Sequence, residues 1–303
     1  MRGRFAPSPT GSLHLGNLRT ALASWLQARA ASGEWLVRME DLDRVTSSPE
    51  HEANQLAALS SLGLHSDAPV VRQSERFPLY HDAIATLQRL GRVYDCYCSR
   101  REIREAAQAP HGEDPRESPS DAYPGTCREL TTSRLAELRR AGRPPALRLR
   151  SAGERFAIDD LIAGHFEGEA DDVVIQRNDG VPAYNLAVVV DDAAQSISHV
   201  TRGGDLLTTT PRQRLLQQLM KLPEPCYAQV PLVVGPDGLR LAKRHGAVTL
   251  ADLAARGISA PQVLEMLMTS LNTSAENLAI APFRIEDIPQ EPWLCTPTSE
   301  HLR

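Results

Sequence analysis

A histidine at the mouth of a helix is the first group in this chain suited to chemistry. In RFAPSPTGSLHLGNLRTAL (4–22) a short strand ends, a Pro/Ser/Gly turn follows, and a helix opens with His14 and Asn17 at its entrance. A helix N-terminus presents unpaired backbone N–H groups and the positive end of its dipole, so it favours phosphate. His14 adds a donor beside it, and Gly16 lets the backbone or an adenine ring approach closely. The second group is sulfur. Three of the five cysteines, Cys96, Cys98 and Cys127, form a C-x-C…C pattern. An odd cysteine count with this spacing suits a metal better than a disulfide framework. Cys226 and Cys295 have no evident role.

The elements that must position these groups alternate. Arg2 to Phe5 read as a strand, and Leu15, Leu18, Leu22, Trp25 and Leu26 recur at helical spacing until Ser32-Gly33. WLVRME (35–40) reads as a buried strand, and a helix with Pro49 at its first position continues to Gly63. Another helix spans about 75–90. Strand and helix in alternation with short connections predict a parallel sheet covered by helices. Near residue 91 the character changes: a capping box, Ser99 to Glu102, and a polar, proline-rich loop up to Cys127 read as an insertion. Strands are expected near 146–150, 156–160, 172–176 and 229–234. DGVPAYNLAVVVDD (179–192) is again apolar and buried in character. Thr210 to Gln213 reads as a second capping box, opening a helix to about Leu222, and two more helices begin near Thr249 and Pro261. The last twenty residues are too irregular to assign.

Composition narrows the setting. No stretch approaches the roughly 20 apolar residues needed to cross a bilayer, and the N-terminus lacks a signal peptide's apolar core. A cytoplasmic location and a monomer are the expectations. Net charge is −5, unlike a protein whose affinity rests on phosphate contacts. Any RNA binding must come from local patches: Arg134, Arg139, Arg140, Arg143, Arg148 and Arg150, or Arg240, Lys243 and Arg244.

The opening nineteen-residue segment resembles the HIGH signature of class I aminoacyl-tRNA synthetases in the form used by the glutamyl and glutaminyl members. Its core reads His14-Leu15-Gly16-Asn17, with Asn in place of the final His. Other segments resemble the same family in the same order: VRMEDLD (37–43), RNDGVPAYNLAVVVDDA (177–193) and HVTRGGDLLTTTPRQ (199–213). RLAKR (240–244) stands where the KMSKS loop belongs, with Arg240 and Ala242 departing from the pattern and Lys243 kept. The resemblance implies an α/β fold: a Rossmann-like nucleotide-binding domain whose two halves (1–92 and 173–235) flank a zinc-binding, acceptor-like insertion (93–172). A KMSKS-like loop and helical stem-contact region (236–303) would follow.

It also implies roles. His14, Asn17 and Lys243 would be catalytic and, with Gly16, would bind ATP accompanied by Mg²⁺. Arg4, Ser8, Glu40, Tyr184 and Arg202 would bind L-glutamate, whose two carboxylates and ammonium call for arginines and an acid. Cys96, Cys98, Tyr123 and Cys127 resemble the zinc site of the glutamyl-queuosine branch of the family, a closed and therefore structural shell. Tyr123 matches that branch's Y-P-G-T-C motif, while His111 is the chemically easier fourth ligand. About 59 residues follow the KMSKS-like loop, too few for helical anticodon-reading domains. The implied activity is therefore tRNA-independent activation of glutamate and its transfer to the cyclopentenediol of queuosine in tRNA(Asp). A truncated enzyme charging tRNA(Glu), a small-molecule adenylyl transferase and a non-catalytic zinc-containing RNA-binding module are the rivals.

Overall fold

The strand Arg2–Phe5 (β1) is the axis of the molecule. The computed structural model describes residues 1–99, 101–103, 123–235 and 248–295. After β1 come the helix Leu15–Ala30 (α1), strand Glu34–Met39 (β2), helix Pro49–Ser61 (α2), strand Val71–Arg72 (β3) and helix Phe77–Arg89 (α3). Next are Val93–Cys96 (β4), helix Thr132–Arg140 (α4), and strands Ala146–Leu149 (β5), Arg155–Asp160 (β6), Gly164–Glu169 (β7) and Val174–Gln176 (β8). The chain then returns through helix Tyr184–Ala194 (α5), strand His199–Gly203 (β9), helix Thr210–Met220 (α6), and strands Cys226–Val230 (β10) and Val233–Val234 (β11). Helices Leu250–Ala255 (α7), Ala260–Ser270 (α8) and Ala275–Ile280 (α9) and strand Trp293–Leu294 (β12) complete it.

The central sheet is parallel in the order β10-β9-β1-β2-β3. Strand order reverses between β1 and β9, the position where open α/β sheets bind ligands beyond their carboxyl ends. Side chains alternate across the sheet. Trp35, Val37 and Met39 of β2 pack with α1 and the C-terminal helices, whereas Leu36 packs with α3, α5 and α6. The register places Arg4 beside Leu36, so Arg4, Arg38 and Glu40 share the second face. Arg202 shares the face of Val200 on the same core. Period two thus gathers three arginines and a glutamate on one side of one sheet.

Strands β4, β5 and β8 form a separate three-stranded antiparallel sheet, with β8 beyond residue 172, and the β6–β7 hairpin packs on β10 and α6. The hairpin's second strand and β9 were not expected as strands. The strand expected at 229–234 is split: β10 ends at Val230 and β11 begins at Val233. Residues 293–294, unassigned from sequence, pair with β11.

Thr210 to Gln213 is not a capping box. The N-cap is Thr209, it makes no side-chain cap, and both Thr210 and Gln213 lie inside the helix with their side chains engaged elsewhere. The competing partner is Arg202, a stronger call on those oxygens than a backbone N–H.

Ser24 of α1 joins the two faces. Its hydroxyl accepts from Trp35 Nε1 at 3.1 Å and donates to the Arg4 carbonyl at 3.1 Å. Ser24→Ala leaves the buried indole N–H unmet, so a loss of about 1–3 kcal/mol is expected in urea unfolding, with far-ultraviolet circular dichroism unchanged.

Candidate active site

A cavity of about 400 Å³ opens at the carboxyl ends of β1 and β9 and is lined by Arg4, Ser8, His14, Gly16, Asn17, Glu40, Tyr184 and Arg202. Eight of the expected site residues therefore meet in one place. At one end, His14 is the N-cap of α1. Its Nδ1 accepts from the Asn17 N–H at 3.3 Å, and Asn17 Oδ1 accepts from the His14 N–H at 3.2 Å. This reciprocal cap fixes the imidazole over the helix mouth. Gly16 leaves room for that ring: a Cβ there would stand 3.0 Å from it, so the imidazole would have to shift by a few tenths of an ångström.

At the other end lies a buried charge cluster. Arg4 pairs with Asp192 through two bonds of 3.2 Å. Arg38, fully buried, donates to Asp192 at 2.7 Å, to Gln195 at 2.8 Å and to Glu40 at 3.3 Å. Asp191 accepts from Gln73, Arg76 and Tyr80. Burial works against Asp192's charge, yet Arg4 and Arg38 hold its carboxyl below the ordinary value. Burial pushes the Glu40 carboxyl up to about 6, against the pull of Arg38 and Arg4. Arg202 differs from the other arginines: Gln213 Oε1 at 2.7 Å, Thr210 Oγ1 at 2.8 Å and the Leu206 carbonyl hold it, all neutral acceptors. Among the described buried and half-buried groups here, the guanidinium groups of Arg4, Arg38, Arg76 and Arg202 face the carboxylates of Glu40, Asp191 and Asp192. Arg202 is thus the guanidinium of this group that meets only neutral partners among the described residues, while Asp205 lines the same cavity at its exposed rim.

Arg38 and Asp192 were not expected at the site from sequence, and Thr210 and Gln213 were expected only as helix caps. A polar residue on a strand's buried face (Arg38) and paired acids ending an apolar helix (Asp191, Asp192) were the available signals.

A second cavity, of about 850 Å³, shares Ser8, Glu40 and Tyr184 with the first and reaches Arg143, Arg177, Cys96 and Cys98. Cys96, Cys98 and Cys127 place their sulfurs within 4.8 Å of one another. The Tyr123 hydroxyl lies 3.4 Å from Cys96 Sγ and 3.6 Å from Cys98 Sγ, and Cys98 and Cys127 sulfurs are 3.5 Å apart. Zinc bound at about 2.3 Å in a tetrahedron holds its sulfurs roughly 3.8 Å apart, so three thiolates and the phenol oxygen fit the ion. The Cys127 N–H donates to the phenol oxygen at 2.8 Å, but burial and the hydrogen bonds with Cys96 and Cys98 push the Tyr123 phenol well above its ordinary value, so a ligating phenolate would need the ion itself to displace the proton. Burial opposes a Cys96 thiolate, but hydrogen bonds with Tyr123 and Arg148 outweigh it and lower the thiol below its ordinary value. Arg148, expected in an RNA-facing patch, is buried instead, 3.2 Å from Cys96 Sγ and stacked 3.7 Å over the Tyr123 ring.

Lys243, with Arg240, Ala242 and Arg244, lies outside the described residues, as does His111. The residues flanking the first of these segments are at the cavity: Val233 lines it, and the Val248 carbonyl accepts from the Leu15 N–H at 3.0 Å.

Residues 1–276 match the family model for the class I tRNA synthetases (E and Q), catalytic domain. The chain belongs to that family. It is 54% identical to the glutamyl-Q tRNA(Asp) synthetase of Nocardia farcinica over 97% of this chain and 93% of that one. It is 42% identical to glutamate–tRNA ligase 1 of Acidithiobacillus ferrooxidans, over 88% of this chain and 56% of that one. Among solved structures it resembles a glutamate tRNA ligase from Elizabethkingia meningosepticum in complex with its amino acid. There the TM-score is 0.79 with 26% identity, covering 98% of this chain and 67% of that chain. Class I synthetases of this type join an amino acid to tRNA, and the cavity above occupies the switch point of their catalytic fold.

Two outcomes test this geometry. A ligand ammonium at Glu40 needs the charged carboxylate, and the raised value means that charge is lost as pH falls through about 6. Calorimetric affinity for L-glutamate is expected to fall below that pH, to be flat from about pH 7 upward, and to lose this dependence in Glu40→Gln. Elemental analysis is expected to find about one zinc per chain, and Cys98→Ser to lose it; full retention there would contradict a site built on these sulfurs.

Proposed function

We propose that this chain activates L-glutamate with ATP, without tRNA, and transfers the glutamyl group to the cyclopentenediol of queuosine in the anticodon of tRNA(Asp). The observation that carries the first half is Arg202, a buried guanidinium on the cavity wall held by neutral acceptors, with Arg4 and Glu40 lining the same cavity. Glutamate brings two carboxylates and one ammonium, which call for guanidinium groups and an acid. Arg202, held by neutral acceptors, is free in charge to take a carboxylate. Arg4 takes part from its fixed place against Asp192, and Glu40 receives the ammonium, with the hydroxyls of Ser8 and Tyr184 beside it.

The α-carboxylate oxygen then attacks the α-phosphorus of ATP, the bond to the bridging oxygen of pyrophosphate breaks, and glutamyl-adenylate forms. Catalysis is positioning and charge stabilisation rather than covalent chemistry by the enzyme. The N-terminal end of α1, with His14, Gly16 and Asn17, receives the phosphates, Lys243 stabilises the departing pyrophosphate, and Mg²⁺ accompanies the nucleotide. A queuosine hydroxyl next attacks the activated carbonyl, loses its proton and displaces AMP. The second cavity, open beside Ser8, Glu40 and Tyr184, supports delivery of that nucleotide from the side of the insertion. Zinc at Cys96, Cys98, Cys127 and Tyr123 would supply structural closure of that wall.

The choice of queuosine rests on the relatives: identity is 54% to an enzyme named for tRNA(Asp) and 42% to one named a glutamate–tRNA ligase. A cytoplasmic monomer is the setting this reading implies; no helix among the described residues is long and apolar enough to cross a membrane.

The test is ATP–pyrophosphate exchange across the amino acids, followed by transfer of labelled glutamate. Exchange with glutamate alone in the absence of RNA, and transfer to queuosine-containing tRNA(Asp) but not to tRNA(Glu), is the expected result. Charging of tRNA(Glu) would favour the ordinary ligase, and silence throughout would favour a binding module.

A further inference from the structure

Gln55 has no place in any motif, yet it is 2% exposed on α2 and lines the cavity. Its two amide hydrogens go to two carbonyls of the turn between β1 and α1: Nε2 donates to Ser8 O at 2.9 Å and to Gly11 O at 2.7 Å. Its Oε1 is buried and has no partner among the described residues. A buried acceptor left unmet costs about 1–3 kcal/mol, so apolar packing alone would not select a glutamine here.

The neighbouring carbonyls are held as well. Pro7 O accepts from the Glu40 N–H at 2.9 Å, Ser8 O also from Thr10 N–H at 2.8 Å, and Pro9 O from the Ser48 N–H at 3.1 Å. Helix α2 therefore clamps the turn from both its N-cap, Ser48, and its second turn, Gln55. This turn spans from the Glu40 end of the cavity to the His14 end. With those carbonyls engaged on the protein side, their negative ends are kept from the phosphates, and the N-cap histidine is held at a fixed distance from the amino-acid cluster.

We propose that Gln55 is a positioning residue for adenylate formation, setting the Ser8–Gly11 turn that carries Ser8 and delivers His14. The kinetic arm rests on the proposed glutamate activation; the structural arm does not. Only an amide or a cationic side chain can give two hydrogens to two carbonyls from one nitrogen, so Gln55→Met conserves volume while removing the clamp.

In Gln55→Met, kcat for glutamate-dependent ATP–pyrophosphate exchange is expected to fall about tenfold or more. KM for glutamate should rise far less than kcat falls, by no more than about threefold, because Arg4, Glu40 and Arg202 are held by other partners and only Ser8 of the proposed glutamate-binding residues rides on the turn. Hydrogen exchange followed by mass spectrometry is expected to show faster exchange confined to peptides covering residues 8–12. Gln55→His, which keeps one donor, should fall between the two, and it carries the test if the methionine variant does not fold. The proposal is overturned if kcat is unchanged, if glutamate KM rises in step with the loss, or if exchange at 8–12 matches the parent. A parent protein with no glutamate-dependent exchange would sink the activation reading, while the hydrogen-exchange comparison would still decide whether Gln55 sets the turn.

Discussion

The burial of Arg38 is the constraint on which the site depends. A guanidinium removed from water is costly unless carboxylates surround it in good geometry. Burial by itself lowers its proton affinity, but Asp192, Glu40 and Asp191 together raise it above the ordinary value. Those carboxylates come from the residue after β2 and from α5, and the two aspartates in turn hold Arg4 of β1 and Arg76 beside α3. Four elements are thereby locked in one relative arrangement. Removing one member would strand the rest, at a cost of about 3–5 kcal/mol for an uncompensated buried charge. Such a cluster makes a poor source of net stability but a strict template. Arg4 cannot swing toward solvent while Asp192 holds it, and Glu40 cannot leave the cavity wall while Arg38 does.

Two adjacent aspartates extend that order to the insertion. Asp172 accepts from Arg128, Tyr94 and the Ser151 N–H, and its carbonyl accepts from Arg148, the residue stacked on Tyr123. Asp171 accepts from the Tyr123 N–H at 3.1 Å and from Arg212. Arg212 lies on α6 next to Gln213, which holds Arg202. The cysteine cluster and Arg202 of the cavity are thus linked through a short run of hydrogen bonds to charged groups. The insertion is built into the back of the site rather than hung from it.

What could be read from sequence follows from where the determinants lie. The α1 entrance was legible because its chemistry is local: a turn, a cap and a phosphate-favouring helix end within nineteen residues. Arg4, Glu40 and Arg202 were legible only through resemblance, since their meeting depends on strand register across the sheet. Thr210 and Gln213 were misread because a capping box and a pair of acceptors for an arginine look the same in one dimension. Arg148 was misread for a similar reason: an arginine among arginines reads as a solvated face until a cysteine sulfur and an aromatic ring are seen to cover it. Gln55 gave only a faint signal, a polar residue on the same helical stripe as buried Leu59 and Leu62.

The most direct test of this account is a double-mutant cycle on L-glutamate affinity, measured by calorimetry at neutral pH with Arg4→Lys, Asp192→Asn and the pair. If Asp192 acts by holding Arg4, each single change weakens binding. The double variant is then little worse than the weaker single, a coupling of about 1 kcal/mol or more. Losses that simply add would mean that the two residues act independently, and the buried charge cluster would not be what shapes the pocket.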